Sequence, residues 1–109
     1  MIEPSYEKNP EELKALKKVI SAVYVHNKNF PRKRFEAATV SRYVAIESSE
    51  MRIHLQFLAS RGIIEKDRRD SGVRKTYWVD EETKLSEFYA SMFHDDLPAN
   101  AQANIVLGT

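Results

Sequence analysis

The spacing of apolar residues changes period at Gly62, and that change limits what the chain can fold into. Before it, Met51, Leu55 and Leu58 recur at helical spacing. After it come Ile63-Ile64-Glu65-Lys66 and Arg74-Lys75-Thr76-Tyr77-Trp78-Val79, β-branched and aromatic runs separated by Arg68-Arg69-Asp70-Ser71-Gly72. Glycine supplies the left-handed residue with which helices often end, and two such runs around a polar, glycine-containing tip predict a hairpin. A length of 109 residues leaves room for one domain with a single modest core.

Three further helices are predicted around this unit. Asn9-Pro10-Glu11-Glu12 reads as a helix start: asparagine accepts from free amides, proline suits the first helical position, and carboxylates favour the positive end. Leu13, Leu16, Val19, Ile20, Val23 and Tyr24 give that helix one apolar face, and it is expected to end near His26-Asn27. After the turn Asn27-Lys28-Asn29-Phe30-Pro31, residues Ala37, Val40 and Val44 mark a shorter helix starting within Arg32–Glu36. Ala45-Ile46-Glu47-Ser48-Ser49 is a tight connection into the helix that Gly62 closes. Asp80 is the expected cap of a last helix, with Glu81 and Glu82 in its first turn and Leu85, Phe88, Tyr89, Met92 and Phe93 as its apolar stripe. Residues 1–8 are assigned to an N-terminal arm, 9–94 to the domain with its final helix at 81–94, and 95–109 to a loose tail. The fold class is thus mainly α with a small β-hairpin, an α+β arrangement. Leu13, Leu16, Ile20, Val23, Val40, Val44, Met51, Leu55, Leu58, Ile63 and Tyr77 form the expected interior.

The net charge of +1 conceals an uneven distribution. Between Lys28 and Lys75 lie twelve Lys/Arg against six Asp/Glu, whereas the flanks together carry five basic and ten acidic residues. A basic middle between acidic ends is the pattern of a protein that meets a polyanion with one surface. No apolar run approaches the ~20 residues needed to cross a bilayer. The acidic start and the absence of cysteine predict a reducing, cytoplasmic or nucleoid-associated setting without disulfides or cysteine-based zinc sites.

The stretch from Val40 to Ile64, with its leucine spacing followed by Arg61-Gly62-Ile63-Ile64, resembles the helix-turn-helix core of winged-helix transcription regulators. The segment Asp67-Arg68-Arg69-Asp70-Ser71-Gly72-Val73-Arg74 looks like the wing of their MarR-type branch. The resemblance covers roughly residues 30–79. Ala45 stands where that family usually has glycine, which fits if its backbone is not left-handed, and Glu47 stands where a Ser or Thr cap is usual. The resemblance implies a winged helix-turn-helix of three helices, a wing and a C-terminal helix, with the third helix in the major groove.

With Met51, Leu55 and Leu58 inward, that helix turns Ser48, Ser49, Arg52, Ile53 and Gln56 outward. Arginine reads guanine bidentately, glutamine does so for adenine, and Ile53 suits a thymine methyl. Arg68, Arg69, Arg74 and Lys75 around the hairpin tip, and Arg32-Lys33-Arg34 before the second helix, are the expected backbone contacts. The stripe Leu85, Phe88, Tyr89, Met92 and Phe93 exceeds what so small a core needs and is expected to form a homodimer interface.

His26, His54 and His94 are scattered without metal-ligand spacing, and neither a glycine-rich phosphate loop nor a nucleophile elbow occurs. No enzymatic activity, cofactor or metal is therefore expected, and His54 reads as a packed or partly exposed helix residue. The expected function is sequence-specific binding of double-stranded DNA by a dimeric transcription regulator, most simply a repressor. A plasmid or viral partition or replication protein, and a winged helix turned to protein–protein interaction, are the alternatives.

Overall fold

Asn9 opens the first helix as its residue type predicts. Its side chain accepts from the amides of Glu11 and Glu12 at 3.1 and 3.4 Å, and Pro10 begins helix α1 (Pro10–Asn29). The computed structural model describes residues 6–67 and 75–94 of the chain. Helix α1 runs past the expected end at His26-Asn27, because the Phe30 amide still reaches the His26 carbonyl at 2.9 Å and only Pro31 stops the pattern.

Helix α2 (Ala37–Ser41) is shorter than the spacing of Ala37, Val40 and Val44 predicts. Ser41 Oγ donates to the Ala38 carbonyl at 3.0 Å, the acceptor that continued helix would need, and Val44 falls in the following turn. Among the described non-glycine residues only Arg32 and His94 have positive φ, so Ala45 meets the condition set for an alanine in this turn.

Helix α3 (Ser48–Ser60) ends in a double hydrogen bond of the Schellman type. The Gly62 amide donates to Ala59 at 3.0 Å and the Ile63 amide to Leu58 at 2.9 Å, with Gly62 at φ +72° as expected. This turn occupies Ile63, which explains why the strands are shorter than the apolar runs. Strand β1 (Glu65–Lys66) pairs antiparallel with β2 (Tyr77–Trp78), Glu65 opposite Trp78 and Lys66 opposite Tyr77. Phe35 adds a further bridge that the sequence reading does not contain: its amide and carbonyl both bond Tyr77, each at 2.8 Å.

Helix α4 (Glu82–Phe93) begins one residue later than expected. Val79 is buried and holds the chain extended, so Glu81 rather than Asp80 takes the cap position, without a side-chain capping bond. Glu82 instead clamps the far end of α1, accepting from Asn27 Nδ2 at 3.0 Å and pairing with Lys28 at 2.8 Å. Helix α1 packs against α2, α3 and α4.

The core joins Leu16, Val19, Ile20 and Val23 of α1 to Val40, Met51, Leu55, Leu58, Ile64, Tyr77 and Leu85. Leu13, Val44 and Ile63, expected inside, are half-buried at its margin, while Ile64 and Val79 take the enclosed positions. Tyr6, within the segment assigned to an arm, is buried against His54 and Phe57. The molecule is mainly helical with one small antiparallel sheet. Among the described residues, no helix is long and apolar enough to cross a membrane.

Candidate nucleic-acid interface

A helix that buries Met51, Leu55 and Leu58 must present the positions between them elsewhere, and α3 does so. Ser49 and Arg52 are exposed and Ile53 is 44% exposed, one of two large apolar side chains with that exposure among the described residues. Ser48 is half-buried at the first turn. Gln56 departs from the expected face: it is half-buried, and its Oε1 accepts from Lys66 Nζ at 3.0 Å. That bond joins α3 to β1 and commits the amide oxygen that would read a base. The N-terminal turn of α3 also carries exposed Glu47 and Glu50, which oppose an approaching phosphate.

The basic triplet before α2 is divided by the fold. Arg32 adopts φ +59°, its amide donating to Asn27 Oδ1 at 2.9 Å, and its side chain is exposed. Lys33 lies over the Phe30 ring at 5.2 Å from the centroid. Arg34 pairs with Asp67 and stacks on Trp78, 4.3 Å from guanidinium carbon to ring centroid, so it ties the segment before α2 to the base of the hairpin. Lys75 is half-buried. Arg68, Arg69 and Arg74, the expected wing contacts, lie outside the described residues.

The stripe expected at a dimer interface is divided too. Leu85 is 0% and Tyr89 2% exposed, both enclosed in the chain's own core, while Phe88, Met92 and Phe93 are half-buried against it. The expectation that the whole stripe stays uncovered without a partner is corrected for those two residues. The reason is geometric: α4 packs on α1, and Leu85 and Tyr89, four apart, share the inward face.

A second feature, missed in the sequence, is a cleft of about 590 Å³ beside the α1–α2 turn. Lys33, Arg34 and Arg42 bring three cations to it, and Phe30, Tyr43 and His26 bring rings. His26 is buried and its Nδ1 lies 3.1 Å from the Tyr43 hydroxyl, while Nε2 has no hydrogen-bond partner. Burial, reinforced by the positive charge of Lys33, holds the imidazole below its ordinary pKa and therefore neutral near pH 7. The aromatic beside a basic triplet at Phe30–Arg34 is a legible signal; Arg42 and Tyr43 join it from the turn that follows α2.

The second histidine environment is internal. His54 is 0% exposed, with Nδ1 2.7 Å from the Tyr6 hydroxyl. Its Nε2 is 3.7 Å from Glu12 and 3.8 Å from Glu50. Burial lowers its pKa; the two carboxylates oppose the shift without cancelling it. Of the packed and partly exposed positions expected for His54, the packed one is observed. Among the described residues, no group of three or more His, Asp or Glu side chains is placed to hold a metal ion. A comparison of the chain with protein-family models, with curated proteins and with solved structures finds no match.

Proposed function

We propose that the chain is a winged-helix protein that binds double-stranded DNA, with α3 as the recognition helix and the β1–β2 hairpin as the base of a basic wing. The observation that carries this reading is the outer face of α3, where Ser49, Arg52 and Ile53 stand exposed together opposite a fully buried Met51-Leu55-Leu58 face. An exposed isoleucine beside an arginine suits a groove that offers both a thymine methyl and guanine acceptors. The order of helix, helix, turn, helix and hairpin supports the same reading. The biological role proposed is transcription regulation, most simply repression.

Gln56 is not assigned to base reading, because Lys66 already holds it. A homodimer belongs to the proposal in reduced form: Phe88, Met92 and Phe93 are the surface it would use, since Leu85 and Tyr89 are enclosed.

Selection of bound duplexes from a random library, followed by anisotropy titrations at fixed salt, tests the reading. A preferred sequence should emerge, and Arg52→Ala should weaken binding to it by ~1–3 kcal/mol while changing non-specific affinity little. The exposure of Ile53 also fits a protein-docking surface, and failure to enrich any duplex together with salt-insensitive behaviour would favour that alternative.

A further inference from the structure

The cleft beside the α1–α2 turn carries charge and rings that the recognition face does not use. Its lining includes Lys33, Arg34 and Arg42 but no carboxylate. Arg34 is committed to Asp67, whereas Lys33 and Arg42 have no ion-pair partner among the described residues. Two unneutralised cations facing one concavity match a doubly charged anion; a single carboxylate would leave one of them over. Phe30 is 44% exposed at the rim with the Lys33 ammonium 5.2 Å from its ring centroid, so a planar group can lie against it when Lys33 turns from the ring to an anion.

We infer that this cleft binds a nucleoside monophosphate, its phosphate held by Lys33 and Arg42 and its base laid against Phe30. The volume of about 590 Å³ lies within the range of small-molecule sites and leaves room for a sugar between phosphate and base. Thr39 and Tyr43 bring hydroxyls that can serve sugar oxygens. His26 lines the cleft as a buried ring bonded through Nδ1 to Tyr43, so its resonances report on occupancy, and the neutral imidazole adds no charge there. The inference goes beyond the DNA-binding reading: α3 contributes no residue to the lining, and only Lys33 and Arg34 are shared with the backbone contacts expected from the sequence.

The test is calorimetric titration of the full chain with the four ribonucleoside 5′-monophosphates, their nucleosides and inorganic phosphate. The ring-proton resonances of His26 are followed in parallel. At least one nucleotide is expected to bind one per chain, about tenfold or more tighter than its nucleoside and than phosphate, and to move the His26 resonances. Arg42→Ala should weaken that nucleotide by about tenfold with an unchanged melting temperature, and Phe30→Ala should bring its affinity down to that of phosphate. Absence of binding by all four nucleotides at millimolar concentration overturns the inference, as does phosphate binding as tightly as the best nucleotide. A duplex that displaces the nucleotide, and is weakened equally by Arg42→Ala, assigns the cleft to a nucleic-acid backbone and also overturns it. Nucleotide binding by a chain that enriches no duplex upholds the inference while removing the DNA reading.

Discussion

Gly62 sits at φ +72°, and a Cβ built there meets nothing within 4 Å. Its requirement is therefore conformational and not steric. Gly62→Ala should lower stability by about 1–2 kcal/mol, the cost of a left-handed alanine, seen as a lower denaturant midpoint with unchanged slope. His54 and His26 act through protons. Both have folded-state pKa values below the ordinary value of about 6.5, because burial disfavours the charged ring. The unfolded chain then binds more protons as the pH falls through about 6.5, so stability present above that pH is lost progressively down to the depressed folded values. Denaturant midpoints measured from pH 8 to pH 5 should fall on the acid side, and His54→Gln should remove its share of the slope whatever it does to the midpoint at pH 8. A wild-type midpoint that rises on acidification would mean that Glu12 and Glu50 outweigh burial at His54.

At the scale of elements, α3 joins the two surfaces of the proposal: its inner face fixes the core and its outer face is the one to read DNA. Arg52 tests the outer face alone, being exposed and lying outside the core. The inner face was legible because Met51, Leu55 and Leu58 keep one period, and the cap at Asn9 because it uses a local bond. The missed features depend on residues far apart in sequence or on competing local bonds. Gln56 follows the spacing of the outer face but is drawn to Lys66 across the turn at Gly62. The bridge from Phe35 to Tyr77 carries no periodic signal, since a single residue makes it. Asp80 lost the cap of α4 because Val79 was already committed to the interior. On α4, Leu85→Ala should cost about 2–5 kcal/mol at every protein concentration, since the side chain is enclosed within one chain. A loss that disappears on dilution would instead place Leu85 between chains.

For the whole molecule, the division of the α4 stripe limits the strength of the proposed homodimer. A standard interface covers about 800 Å² per partner. Phe88, Met92 and Phe93 are each half covered already and offer only part of that. Sedimentation should therefore show a dimer that dissociates on dilution, and Phe88→Asp with Met92→Asp should leave a folded monomer; a tight dimer unaffected by that pair would put the contact elsewhere. The Phe35–Tyr77 pair bears on how the molecule opens and closes. Its two amides protect each other through reciprocal bonds, although the helices α2 and α3 lie between them in the chain. Opening the bridge releases both amides together. Deuterium uptake at Phe35 and Tyr77, each corrected for its intrinsic rate, should then give a common opening free energy, marking the attachment of the hairpin as one cooperative event.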